Sequence, residues 1–303
     1  MVQDNEKKLC ESQGETPIGS RLFSFILLAY RNHHDVKSCL ESIGGLLDEA
    51  YFDAIVVDSY YSEEESSLID DAAKAYGAAY VPVSNKGYGY GNNIGIERAL
   101  NNIDSDYIVV CNPDTEIKSI DLAALYSLTE AYGIPSEAPY IIAPQIKTLN
   151  GKDQNPLVPS KSELYESLVY RGYKTRKRYV SLAGFALNRL KRELFLRAHP
   201  KMGHSRIYAP HGSFILFSRK AAEMLNPVFD EQMFLFAEEH LLAWRAAQRN
   251  IPIVYCPFIS VLHKEDGSVQ LLTEVNELMR ESNVYVYEKT HGVLPEATEK
   301  ARS

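Results

Sequence analysis

The sequence predicts an α/β protein built on a mostly parallel sheet with helices on both faces. Two observations carry this. Short apolar, β-branched runs alternate with helix-period segments over roughly the first 150 residues, as βαβ units require. Each run also breaks off at polar or glycine residues, where such sheets place their ligands.

The elements follow in order. Residues 23–30 read as a buried strand. From Asp35 to about Leu47, Val36, Leu40, Ile43 and Leu47 recur every three or four positions and predict a helix. Residues 54–58 form a second strand, followed by a helix over about 62–76 whose Glu63, Glu64 and Glu65 suit its positive end. A third strand, 79–83, leads through a glycine loop to a helix over about 92–101. A fourth, 107–111, runs into Asn112-Pro-Asp114. Beyond 140 a loop surrounds Pro156 and Pro159, and 213–217 reads as a strand. A helix over 238–249 stops near Asn250 and Pro252. Short strands at 253–256 and 259–262 precede a C-terminal helix over about 269–289. No internal repeat is present.

Composition narrows the function classes. The chain has 303 residues, 45% of them hydrophobic and 24% charged, which supports a sizeable core and excludes wholesale disorder. Its longest apolar run, near 23–30, is far short of the ~20 residues of a membrane span. Residues 1–20 are polar and lack a signal-peptide core. Four cysteines without a CxxC pair exclude a disulfide scaffold and favour a reduced, cytoplasmic setting. A net charge of −8 argues against a nucleic-acid partner. One segment departs from that balance: residues 171–192 hold eight basic residues and no acid.

The candidate site residues have competing readings. The stretch from Asn85 to Gly95 is glycine-rich, and glycine lets backbone approach a ligand closely before a helix N-terminus. It does not fit the dinucleotide fingerprint GxGxxG, and a simple turn is the alternative. Asp114 at a strand end suits a divalent cation held against a diphosphate; helix capping by Asp114 or Thr115 is the alternative. Glu238 and Glu239 begin a helix beside aromatic residues, as a general base or as dipole-favoured surface acids. His263 gains meaning only if Asp114 binds a metal, since imidazole can complete such a shell.

The ordered set of these pieces resembles the family 2 inverting glycosyltransferases, in particular their rhamnosyltransferase-like bacterial branch. The resemblance runs from about Phe23 to Ser268. It includes Tyr30-Arg-Asn32, Val56-Val-Asp58-Ser59, Asn85 to Gly95, Asn112-Pro-Asp-Thr115 and His211-Gly-Ser213. It continues through Arg219, the Phe-Asp-Glu at 229, Glu238-Glu239 with Trp244-Arg245, and His263.

The resemblance implies a GT-A-type, Rossmann-like domain over 21–268, with a nucleotide half (about 21–145) and an acceptor half (about 146–268). A polar extension (1–20) and a C-terminal helix and tail (269–303) flank it. It further implies a nucleoside-diphosphate sugar donor, a Mg2+ or Mn2+ cofactor, and a glycan or lipid-diphosphate acceptor in bacterial surface polysaccharide assembly. By position, Asp58 would read the nucleobase, with Tyr30, Asn32, Asn85, Gly91, Asn92 and Asn112 also on the nucleotide-sugar side. Asp114 and His263 would hold the metal. Glu239 would be the catalytic base, with Glu238 beside it, and His211, Gly212 and Ser213 would border the acceptor. The chain departs from the family pattern at Asn112 (for the first acid of DxD), Glu239 (for Asp), Leu241 (for an acid) and Tyr60-Tyr61 (for small polar residues).

Three other readings stand beside this one: a catalytically silent sugar-nucleotide or glycan-binding protein, a dinucleotide-dependent oxidoreductase, and a peripheral membrane adaptor. The basic segment 171–192 suits an acceptor diphosphate or the anionic inner face of the cytoplasmic membrane. Its Phe185, Leu187, Leu190 and Leu194 could insert shallowly or belong to the core. The sequence leaves the oligomeric state open.

Overall fold

A computed structural model describes residues 21–135, 137–198, 205–265 and 275–293. The polar extension, the Gly267-Ser268 end of the His263 element, the first residues of the expected C-terminal helix and the tail beyond 293 lie outside them. The chain begins with β1 (Arg21–Ala29), α1 (His33–Gly44), β2 (Phe52–Ser59), α2 (Glu63–Ala75), β3 (Ala79–Val83), α3 (Tyr88–Asn102) and β4 (Ser105–Cys111). These strands pair in parallel in the order β3-β2-β1-β4, as the alternation predicts.

Next come β5 (Thr115–Ile120), the short helices α4 (Leu122–Tyr126) and α5 (Leu128–Ala131), and β6 (Ile141–Thr148). Then follow α6 (Glu163–Lys174), α7 (Arg178–Ala198), β7 (Ser205–Ile207), β8 (Phe214–Ser218), α8 (Arg219–Leu225), α9 (Glu238–Gln248), β9 (Ile253–His263) and α10 (Val275–Thr290). The second half extends the same sheet: β8 lies antiparallel between β4 and β6, β6 pairs in parallel with β9, and β5 and β7 flank β9 antiparallel.

The period-2 pattern of β1 explains the two-sided core. Phe23, Phe25 and Leu27 bury on one face with Val36, Leu40 and Ile43 of α1, while Ile26 turns to the other face with Ile96 and Ala99 of α3. Full burial of each such side chain contributes about 1.5–3 kcal/mol.

Three sequence expectations change. Helix α3 begins at Tyr88 rather than near Asn92, so Gly89 and Gly91 belong to its first turn. A Cβ on Gly91 would collide with the Leu28 side chain; this glycine serves helix-to-sheet packing. No helix follows Asp114. Thr115 and Ile117 alternate inward in β5, whose pairing with β9 supplies a sheet edge that local capping chemistry cannot anticipate. The two short strands near 253 and 259 are one strand, its register with β6 shifting between Cys256 and Ser260 around Pro257, which has no N–H for the ladder.

Candidate functional site

Topology assembles the cleft. The carboxyl ends of β1, β2, β4 and β9 reach one edge of the sheet. Because β8 runs antiparallel to β4, its beginning reaches the same edge, where Asn112 N–H donates to the Ser213 carbonyl at 2.8 Å. The resulting cavity is about 470 Å³, within the range of small-molecule sites. Tyr30, Asn32, Asn85, Asn112, Asp114, His211, Gly212, Ser213, Glu238, Glu239 and His263 all line it. Residues as far apart in the chain as Tyr30 and His263 thus meet in one place.

At its floor, Asp114 Oδ2 lies 3.3 Å from His263 Nε2, and both residues are buried. A relay fixes the histidine tautomer. Gln154 donates its amide N–H to Glu265 at 2.9 Å, which turns Gln154 Oε1 toward His263 Nδ1 at 2.8 Å. Nδ1 therefore carries the proton when the ring is neutral, and the Nε2 lone pair faces the Asp114 carboxylate. Two lone pairs at that distance need a proton or a cation between them. The donor set of one carboxylate oxygen and one imidazole nitrogen fits a divalent metal, with the carboxamide at 154 as its outer support. Among the described residues no group of three or more His, Cys, Asp or Glu could hold a metal. Substrate oxygens would have to complete the shell, as is usual where phosphates are bound.

Opposite this pair stand the two glutamates. The turn that presents them is strained: Phe236 and Ala237 both adopt left-handed backbone (φ 76° and 65°), and no side chain caps α9. Glu239 Oε1 accepts the Gly212 N–H at 3.0 Å, whereas Glu238 is more deeply buried and its Oε1 has no hydrogen-bond partner among the described residues. Burial raises the pKa of both carboxyls; the Glu239 charge pushes Glu238 further up, and the Gly212 N–H pulls Glu239 part of the way back. His211 is held neutral. Burial, then His263 and Arg192, lower it to about 3 against the opposing pull of Asp114. Consistently, Ser213 N–H donates to His211 Nδ1 at 3.2 Å.

The structure does not bring every expected residue to the cleft. Asp58 is buried behind it, where its Oδ2 accepts Ser66 Oγ–H at 2.5 Å and Tyr80 O–H at 2.8 Å; the neighbouring Ser59 lines the cavity instead. Asn92 bonds the Tyr88 carbonyl within α3, and neither it nor Gly91 is part of the lining. Tyr61, at a departure from the family pattern, packs edge-on against Tyr30 and under the Arg31 guanidinium, and is not itself part of the lining.

Several participants escaped the sequence reading. Gln154, Glu265, Phe234 and Leu235 line the cavity. Buried Asn155 holds the His211 N–H at 2.7 Å, and Asn93 grips Phe229 through both its backbone N–H and its carbonyl. Helix α10 secures the loop before α9: Ser282 donates to the Leu235 carbonyl, while Tyr285 and Lys289 bind Asp230. None carries a local signal that marks it as part of a site.

The chain matches no protein-family model. It is 23% identical over 247 residues to the low-salt glycan biosynthesis hexosyltransferase Agl10 of Haloferax volcanii, covering 80% of this chain and 67% of that protein. Among solved structures, GalNAc-T7 with UDP, GalNAc and Mn2+ superposes with a TM-score of 0.59 at 12% identity, over 89% of this chain. This chain spans only 48% of that one. S. aureus TarS (1–349) in complex with UDP-GlcNAc superposes with a TM-score of 0.50 at 12% identity, over 92% of this chain and 76% of that one. The sheet order and these likenesses define a glycosyltransferase fold of the GT-A type.

Proposed function

We propose that this chain is an inverting glycosyltransferase of the family 2 type. It would move a sugar from a nucleoside-diphosphate donor to a hydroxyl of a glycan or lipid-diphosphate acceptor. The observation that carries the reading is a single cleft in which the Asp114–His263 pair and Glu239 converge. The UDP-bound neighbours and the hexosyltransferase relative support it.

Asp114 and His263 would hold a divalent cation, Mg2+ or Mn2+, which when bound would neutralise the donor diphosphate. Tyr30, Asn32 and Ser59 border the side of the cleft where the nucleoside fits. Glu239, raised in pKa yet anchored by Gly212, accepts the proton of the attacking hydroxyl. The oxygen–carbon bond forms at the anomeric carbon as the bond to the diphosphate oxygen breaks on the opposite face, and the configuration inverts. Holding donor and acceptor in line is the main work of the cleft walls.

A thermal-shift panel of UDP-, GDP- and dTDP-sugars and NAD(P), with and without Mn2+, tests the reading. Metal-dependent stabilisation by a sugar nucleotide is expected. Asp114→Asn should abolish that dependence, and Glu239→Gln should keep donor binding while cutting transfer about 10²-fold or more. Stabilisation by NAD(P) alone would overturn it.

A further inference from the structure

Helix α7 has its solvent side the wrong way round for a helix surrounded by water. Its inner side packs on α6: Gly184 sits against Val169, and the Phe185 ring meets Tyr165 and Tyr173. Of the four apolar residues for which the sequence left insertion and core packing open, Phe185 and Leu187 belong to the core side, whereas Leu190 and Leu194 do not. The outer side carries Tyr179, Leu182, Leu190 and Leu194, exposed by 69%, 52%, 55% and 55%. With exposed Ala183 and Ala186 between them, these positions recur at helical spacing on one face. A water-facing stripe of a globular helix is ordinarily charged.

Cations border this stripe. Arg176, Lys177 and Arg178 cluster at the start of α7, and Arg189, Lys191 and Arg197 lie along it. Among the described residues no carboxylate pairs with Lys177, Arg178, Lys191 or Arg197; the one acid of the helix, Glu193, pairs with Arg189. The helix has 21 residues and is therefore about 30 Å long. No helix among the described residues is long and apolar enough to cross a membrane.

We infer that the outer face of α7 lies on an anionic lipid surface, with the leucines and Tyr179 at the acyl boundary and the flanking cations among the headgroups. Charge complementarity selects this occupant. A second copy meeting the same face would set its cations against these, whereas a negatively charged bilayer satisfies both the stripe and its borders. Lipid binding is independent of the transfer chemistry, so it can hold even where donor binding fails.

The test is co-sedimentation of the full chain with phosphatidylglycerol or phosphatidylcholine vesicles at low and high salt. Wild-type protein should pellet with phosphatidylglycerol, not with phosphatidylcholine, and lose affinity as salt rises. Changing Lys177, Arg178 and Lys191 together to Ser should weaken binding about 10²-fold. Changing Leu182, Leu190 and Leu194 together to Ser should release the protein even at low salt. Because these positions face solvent, thermal midpoints should stay near wild type, which confirms intact folding. Wild-type protein that remains in the supernatant at low salt overturns the inference. So does binding that ignores the leucine changes, which would leave simple charge attraction. Concentration-dependent dimers lost in the leucine variant, without vesicle binding, would reassign the face to self-association, and capture by an acidic polypeptide but not by vesicles would reassign it to a protein partner.

Discussion

Replacing Gly212 by Ala isolates the seat of the proposed base. A Cβ there would lie 2.5 Å from Glu239 Oε1, against an ordinary contact of 3.4 Å or more, so the carboxylate must retreat by about 0.9 Å. Gly212 is not in the left-handed region, so alanine adds no backbone strain and the fold should survive. The retreat breaks the 3.0 Å bond from Gly212 N–H, and hydrogen bonds to charged groups contribute about 1.5–3 kcal/mol. Misplacing a reacting group by about 1 Å can cost about 10²-fold in rate. We expect kcat to fall about 10²-fold while donor Kd and thermal midpoint stay near wild type.

A second readout separates positioning from general damage. The Gly212 N–H lowers the Glu239 pKa, so its loss should move the acid limb of the pH–rate profile upward. Steady-state kinetics across pH, with donor affinity measured by calorimetry, would decide the matter. Transfer within threefold of wild type, or a lower rate with an unmoved limb and weakened donor binding, would refute the assignment of Gly212 as the anchor of Glu239.

Two other expectations follow from the surrounding shell. Gln154→Leu removes the acceptor that fixes His263 Nδ1–H, and Mn2+ affinity, titrated in the presence of UDP, should fall about 10- to 100-fold without loss of fold; unchanged affinity would show that the relay does not orient a ligand. His240, whose Nε2 meets the Tyr165 hydroxyl at 3.1 Å, is lowered by burial to about 4. A depressed folded-state pKa means its stabilising contribution is full above about 6.5 and is lost as pH falls toward 4. Urea unfolding of His240→Gln between those values should therefore lack a slope of up to about 1.4 kcal/mol per pH unit that wild type shows; parallel curves would show that His240 does not titrate with folding.

The alternation that builds β1 through β4 is legible in the residues alone, because apolar periodicity and helix-end charges are local properties. Locally, Asp114, His263 and the Glu238-Glu239 pair stand out only as candidates, a polar residue closing an apolar strand or an acid opening a helix, and the family resemblance supplies the roles proposed for them. Where those positions stand, and against what, depends on distant parts of the chain. Asp114 precedes a strand, not a helix, because β9 arrives from about 140 residues downstream to pair with β5. Asp58 turns away from the cleft because Ser66 and Tyr80 claim its carboxylate. Gln154 orients His263 across 109 positions, and Gly212 seats Glu239 across 27. Helical periodicity in α7 was legible, but not which of its two apolar faces meets α6. Local preference depends on neighbours within a turn or two of chain, whereas site geometry depends on which distant backbones the sheet order brings within hydrogen-bond reach.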